Sequence, residues 1–475
     1  MSLLVPRPSA AQVTFEKTFG GTDYDCGFSV QQGSDGGYSI AGHTTSFGAG
    51  LNDVYVVKTD ALGNTLWDRT YGGADEDMGY SVRQTLDGGY VIAGETRSSG
   101  AGQRDVYLIK TDASGNVLWE ATHGGNRADG GRSIRQTLDD GYIITGETRS
   151  SGLGQRDVYL IKTDGSGNVV WEKTFGDTRA DCGYSVRETM DGSYVIAGEM
   201  RTSGVGVLDV YLIKTDTLGN AFWTMVYGGT GADGGYSLQQ TLEGGYIVTG
   251  YTESFGAGRR DVYLIKTDSS GSPLWEATYG GASNDEGYSV QQTEDGGYII
   301  AGYTESFGTG QGDVYLIRTD AVGNTLWERT YGGALNDYGY SVEQTVDGGY
   351  IIVGYTESFG AGLADVYLIK TDADGLVGIA QEGVNHKTRN AKLLQNTPNP
   401  FSGYTTISYS LAEAGHTTLD VYDVAGSFVK TLVNKRQERG VYQVSWDATD
   451  RPSGIYFYRL GAGDFTSAKK MLLLR

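Results

Sequence analysis

Seven aspartates, Asp25, Asp77, Asp129, Asp181, Asp233, Asp285 and Asp337, recur at a spacing of 52 residues, with further acids at Asp23, Asp75 and Glu76. Carboxylates repeated in equivalent surroundings suit two kinds of chemistry. Each can accept hydrogen bonds from the backbone of its own loop. Alternatively, together they can ring the mouth of a channel and offer oxygen ligands to Ca²⁺ or a cationic ligand. A second pattern is an asymmetry of charge. Arg83, Arg135 and Arg187 are matched further along the chain by Gln239, Gln291 and Glu343, and Arg97, Arg149 and Arg201 by Glu253, Glu305 and Glu357. One half of that surface is therefore expected to be more basic than the other, and able to orient a partner or a charged glycan. The competing explanation is duplication of a three-repeat block with local ion pairs, such as Glu95 with Arg97, which contribute little when exposed.

Catalysis asks for differentiated groups, a base beside a nucleophile or two carboxylates in unlike surroundings. Repeats of constant length give near-identical surroundings instead. The histidines, His43, His123, His386 and His416, form no spaced cluster, so neither a zinc site nor a Ser-His-Asp triad has a candidate. No phosphate-binding loop or dinucleotide motif appears, and the glycines belong to turns. No catalytic residue is expected, and no cofactor beyond the possibility of Ca²⁺.

The elements that carry these residues follow from the repeat. Asp-Val-Tyr begins at Asp53, Asp105, Asp157, Asp209, Asp261, Asp313 and Asp365, and Trp keeps the same period from Trp67 to Trp327. The sixth copy reads as four strands. Gly287 to Thr293 is followed by a Glu-Asp-Gly-Gly turn, and Tyr298 to Thr304 by a Gly-rich loop. Asp313 to Thr319 and then Thr325 to Thr330 are separated by an Asp-Ala-Val-Gly-Asn turn. In the third strand both alternating sets are apolar, Val106 and Leu108 against Tyr107 and Ile109, so the sheet must be covered on both faces. The expected fold is all-β: seven four-stranded blades closed into a β-propeller over residues 13–379, with no polar capping repeat of the kind a solenoid needs. The last copy lacks its fourth strand, whereas Val13 to Phe19 is a spare strand before the first, so the N-terminal strand is expected to complete blade seven. The order Asp-Val-Tyr, Asp-x-x-Gly-Asn, Trp resembles kelch-type repeats, although the glycine pair Gly296-Gly297 precedes the second strand here rather than ending it.

The formal charge is −21, and from residue 391 onward 10 Lys and Arg face 7 Asp and Glu, so the acidic excess lies upstream. Such a surface repels nucleic acid and anionic lipid. No apolar run is long enough to span a membrane. Residues 1–12 read as a tail whose Ser9-Ala10-Ala11 looks like the end of a signal-peptide cleavage site, with the full signal expected upstream.

Residues 380–393 are polar and aperiodic, as a linker is. From 394 to 475 about six short alternating strands suggest a small Ig-like β-sandwich. Within it, Pro398-Asn399-Pro400-Phe401, Thr405 to Leu411, Val421 to Gly426, Gly454-Ile455-Tyr456 and Lys469-Lys470 resemble the blocks of the C-terminal sorting domain of type IX secretion substrates. That resemblance implies recognition by the type IX machinery, with Pro398, Asn399, Pro400, Phe401, Gly454, Tyr456, Lys469 and Lys470 as motif positions. It also implies a location outside a Gram-negative cell or on its surface.

Cys26 and Cys182 lie three periods apart in what read as equivalent loops of blades one and four, on the order of 15 to 20 Å from each other and too far for a disulfide. The function expected is a monomeric, secreted or surface-displayed binding module for extracellular protein or carbohydrate. The alternatives are a polysaccharide-acting enzyme with carboxylates at the channel mouth, or a passive envelope component.

Overall fold

The computed structural model describes residues 13–201, 208–377 and most of 392–474. The chain divides into two compact units, Met1–Ala380 and Gln381–Arg475. The tail 1–12 and most of the linker 380–393 lie outside the described residues, as does the cleavage-site reading of Ser9 to Ala11.

In the first unit a lone strand β1 (Phe15–Phe19) precedes β2 (Asp25–Gln32), β3 (Tyr38–Thr44), β4 (Asp53–Thr59) and β5 (Thr65–Tyr71). The last four form one antiparallel sheet in chain order, and five more sheets repeat it. The seventh sheet holds Asp337–Gln344, Tyr350–Thr356 and Asp365–Thr371, and its outer strand is β1, with Phe15 opposite Lys370 and Thr18 opposite Tyr367. Phe15 is buried in a core shared with the first sheet, where its ring meets that of Tyr38 at 6.0 Å.

Each first strand begins at its aspartate, two residues earlier than the Gly-Tyr-Ser run suggests, because Asp25 pairs with Thr44 across the sheet. The seven aspartates, and Cys26 and Cys182, are therefore strand residues and not loop residues, and His123 ends a fourth strand. Both cysteines are free and buried.

Burial explains the sheet stack. Val54, Tyr55, Val56 and Val57 are all buried although they alternate between faces, which stabilises the blade by roughly 1.5–3 kcal/mol per side chain. Around the axis the first strands are joined by one serine each. The Ser29 hydroxyl accepts the Val82 N–H at 3.3 Å, and the series runs through Ser81, Ser133, Ser185, Ser237 and Ser289 to Ser341, which accepts the Val30 N–H at 3.3 Å and closes the ring. At the outer edge Trp67 stacks edge-on to Tyr90 of the next blade at 5.7 Å, and the Tyr71 hydroxyl donates to the Gly115 carbonyl at 2.7 Å.

The second unit is a sandwich of two small sheets. One joins Lys392–Leu393, Tyr404–Leu411 and Gly440–Asp447, the other Phe428–Gln437, Gly415–Asp423, Gly454–Ala462 and Phe465–Leu473. Ile407, Tyr409 and Trp446 from the first pack on Leu419, Val421, Tyr456, Tyr458 and Met471 from the second.

Candidate functional site

The aspartates sit in blade corners, not at a channel mouth. Each of the seven is fully buried or nearly so. Asp129 shows the arrangement: its Oδ2 accepts the Gly125 N–H at 2.8 Å and the Ser150 hydroxyl at 2.6 Å, and its Oδ1 accepts the Thr148 hydroxyl and the Arg149 N–H at 3.1 Å. Asp25, Asp77, Asp233, Asp285 and Asp337 likewise take one backbone N–H four residues earlier and one serine hydroxyl. Asp181 takes the N–H groups of Asp177 and Arg201. Among the described residues no group of three or more His, Cys, Asp or Glu side chains is arranged to hold a metal ion.

The two arginine series also part company. Arg97, Arg149 and Arg201 are exposed, and Arg97 pairs with Glu76 at 3.0 Å rather than with Glu95. Arg83, Arg135 and Arg187 are half-buried on the first strands, at the end of the channel where the Asp-Gly-Gly turns lie. A single basic half-surface is therefore not what the sequence asymmetry builds.

At the corner end, inward-facing pairs follow one another around the ring: Cys26 with His43, Met78 with Glu95, Gly130 with Glu147, Cys182 with Glu199, Gly234 with Tyr251, Glu286 with Tyr303 and Tyr338 with Tyr355. One arc is an ionic network. Arg104 joins Glu95 (3.0 Å) to Glu147, and Arg156 joins Glu147 (2.8 Å) to Glu199 (3.1 Å). Burial would raise the Glu147 carboxyl, but Arg132, Arg156 and Arg104 around it hold it below the usual range. Burial also drives His43 down to about 4, so it is neutral at physiological pH.

The other arc is aromatic. Tyr303 stacks on Tyr338 with ring centres 4.1 Å apart and planes 7° apart, and Tyr338 stacks on Tyr355 at 4.9 Å. Glycine makes room for these rings: Gly312 stands where other blades carry Arg104, Arg156 and Arg260, and a Cβ there would meet the Tyr303 ring at 2.1 Å. A cavity of about 350 Å³ opens here, lined by Arg260, Asn284, Glu286, Tyr288, Tyr303, Glu305 and Tyr338. Its polar groups are held in place. Arg260 reaches Glu286 at 2.7 Å and Glu253 at 2.8 Å and lies over the Tyr251 ring at 4.3 Å. The Tyr303 hydroxyl and the Asn284 amide donate to Glu305 at 2.6 and 2.8 Å.

Below this mouth the channel is crossed by Phe28, Tyr80, Arg132, Tyr184, Tyr236, Tyr288 and Tyr340, one from each blade. Neighbouring aromatic rings are 5.0–5.4 Å apart, and Arg132 lies 4.2 Å from the Tyr80 ring. None of these inward tyrosines was singled out from sequence. The signal was available in the columns of aligned repeats, where His43, Glu95, Glu147, Glu199, Tyr251, Tyr303 and Tyr355 break an otherwise uniform strand.

In the second unit the motif blocks meet each other. The Asn399 side chain accepts the Leu472 N–H at 2.8 Å, Phe401 exchanges backbone hydrogen bonds with Leu472 and Leu474, and its ring lies 5.7 Å from Trp446. Pro398 and Pro400 are exposed, whereas Tyr456 is buried from Gly454 inward, with its hydroxyl on the Pro452 carbonyl at 2.9 Å. Lys469 and Lys470 stand on the last strand opposite Tyr458 and Phe457.

Residues 397–474 match the family described as the secretion system C-terminal sorting domain. The chain therefore carries a C-terminal sorting domain of the type IX kind, which implies engagement with that machinery and marks the chain for export to the cell surface or extracellular space. A regulatory protein, FlaEY, of Caulobacter vibrioides is 26% identical over 53% of the chain, and an uncharacterized WD repeat-containing protein of Acanthamoeba polyphaga mimivirus is 21% identical over 53%. The chain spans about a third and a fifth of the length of these two. Among solved structures it is similar to PorZ, a surface component of the type IX system of Porphyromonas gingivalis, with 12% identity, TM-score 0.41, and 96% of this chain and 60% of that one covered. It is also similar to the WD-repeat domain of Neurospora crassa Pan2, with 10% identity, TM-score 0.45, and 76% and 97% covered.

Proposed function

We propose that the protein is an exported seven-bladed propeller that binds extracellular carbohydrate at the tyrosine mouth. The observation that carries this reading is the stack of Tyr303, Tyr338 and Tyr355 beside Arg260, Glu286 and Glu305. Ordered aromatic faces beside a few fixed polar groups give apolar contact and orientation together, which is what a ligand of alternating ring faces and hydroxyls requires. Kinship of the blades with kelch repeats, and of the sorting unit with Ig-like sandwiches, belongs to the same proposal. Binding rather than catalysis is favoured because the carboxylates at this mouth are committed: Glu286 to Arg260 and the Tyr288 hydroxyl, Glu305 to Tyr303 and Asn284. A general acid and base need unlike, adjustable surroundings.

The test is a glycan array probed with the purified chain and with Tyr338→Ala. Binding to a defined set of neutral glycans that the substitution weakens tenfold or more is the expected result. An array without signal, or one indifferent to the substitution, would end this reading.

A further inference from the structure

The opposite mouth of the channel has a different lining. At its rim the residue series runs Gln31, Arg83, Arg135, Arg187, Gln239, Gln291 and Glu343, one per blade. Four of these side chains accept a backbone N–H of the next blade. Gln31 takes that of Gln84 at 2.7 Å, Gln239 that of Gln292 at 2.6 Å, Gln291 that of Gln344 at 2.5 Å and Glu343 that of Gln32 at 2.7 Å. The arginines have no acceptor to offer. The equivalent N–H groups of Gln136, Glu188 and Gln240 face the same way, because the following residue in each case, Thr137, Thr189 or Thr241, donates to its own hairpin. Along this arc three guanidinium groups and three backbone donors thus point where the rest of the ring pairs donor with acceptor.

The guanidinium groups are poorly compensated. Arg83 and Arg135 donate to the carbonyls of their own neighbours Val82 and Ile134 at 2.8 and 2.6 Å, and Arg187 to Leu238 at 3.2 Å. The Arg135 Nε is buried without a partner. Among the described residues none of the three is ion-paired. The charge facing them across the channel is Glu343, so three positive groups and one negative leave an excess of two. Burial, then the neighbouring Arg83, lowers Arg187 to about 9, and burial with Arg187 and Arg83 holds Arg135 well below its usual value. Both effects are those of cations crowded together on the channel wall with one acid facing them. A cavity of about 350 Å³ at this end lies on other blades, lined by Gln239, Gln240, Gln291, Gln292, Glu294 and Gln344 and by none of the three arginines.

We propose that the arc of Arg83, Arg135 and Arg187 binds a divalent oxyanion, of the sulfate or phosphate type, either free or carried on a glycan. Two negative charges match the excess of the site, and tetrahedral oxygens can take guanidinium and backbone donors at once, the combination that makes charge-assisted hydrogen bonds strong. The reading is independent of the tyrosine mouth, since neutral glycans report on one end and anions on the other.

Calorimetry on the full chain at low ionic strength tests it, with sodium sulfate, sodium phosphate, a sulfated disaccharide and its neutral parent, against sodium chloride of matched ionic strength. Saturable binding of sulfate or phosphate is expected, weakened at least tenfold by Arg135→Gln and abolished when Arg83, Arg135 and Arg187 are all changed to Gln. Glutamine already serves at three equivalent positions, so the melting temperature of the triple variant checks that it folds. A sulfated disaccharide that binds more tightly than sulfate assigns the anion to a glycan, and one that binds no better assigns it to the free ion. Absence of saturable anion binding by the unaltered chain, or equal binding by the triple variant, would overturn the proposal.

Discussion

On the first strand of every blade, two sets of positions follow different rules. Two series that join blade to blade repeat around the whole ring: seven serines hold the next strand's N–H, and seven Gln or Glu side chains of the Gln32 series cap a turn of the preceding blade, as Gln84 caps Ser34 at 3.1 Å. The positions that face the channel do not repeat. Around one circuit they change from Cys, His and Glu to Tyr at one mouth and from Arg to Gln at the other. Repetition marks what closes the ring, and departure from it collects on the inner surface, where two unlike mouths result. Every substitution can be placed on one side of this division, and its expected effect follows.

The largest effect should come from breaking closure. Without residues 13–20 the strand Asp365–Thr371 loses its outer partner and the core loses Phe15, which is 3% exposed. A loss of ~5 kcal/mol or more is expected, about 6 °C or more in Tm by differential scanning calorimetry for a unit of this size. An unchanged Tm would show that the ring does not depend on its termini. Next come the corners. Asp129→Ala would leave the N–H of Gly125 and the hydroxyls of Thr148 and Ser150 without their acceptor, at a cost of about 3 kcal/mol by urea unfolding. A cost near zero would return this aspartate to the channel-mouth role that the sequence offers as the alternative to local hydrogen bonding.

The period, the four strands per unit and the pairing of β1 with the last Asp-Val-Tyr strand were legible, because apolar alternation and a missing strand leave plain marks in a chain. The sorting unit was legible because its blocks fall where Asn399 and Phe401 must meet Leu472. Asp-x-Gly reads as a turn, which puts the corner aspartates in loops, and only the cross-strand partner Thr44 reveals that Asp25 belongs to the sheet. The facing of Arg83 and of the inward tyrosines could not be counted out from the strand start. A bulge between Gly27 and Ser29, repeated in each blade, interrupts the two-residue alternation.

A smaller effect separates the turns from both mouths. In each blade a third-strand cation meets a turn acid, as Lys110 meets Asp87 at 2.8 Å and Lys162 meets Asp139 at 2.9 Å. Slight burial works against the Asp87 and Asp139 carboxylates, but hydrogen bonds from lysine, threonine and the turn backbone bring both down to about 2. A folded-state value below the unfolded one, near 3.9, gives stability that is complete above about pH 4 and lost as pH falls through about 2. Asp87 is 59% exposed, so screening limits the pair to about 1 kcal/mol. Asp87→Ala should cost that much at pH 7 and progressively less as pH falls through about 2. A difference that persists in acid would mean that the turn, and not the charge, carries it.

The smallest effect has the opposite sign. Arg135→Gln removes a guanidinium crowded by Arg83 and Arg187 and supplies an oxygen for the Glu188 N–H, as Gln31 does for Gln84 at 2.7 Å. One restored hydrogen bond predicts a gain of about 1 kcal/mol, roughly 1–2 °C in Tm for a unit of this size without added anion. Adding sulfate should then raise the Tm of the unaltered chain above that of the variant. Such a crossing would show that the arginine arc carries a stability cost that a bound anion relieves, as sites shaped for function do. If Arg135→Gln destabilises the chain in the absence of anion, the arginine belongs with the positions that close the ring, and the division between joining and channel-facing residues fails at that strand.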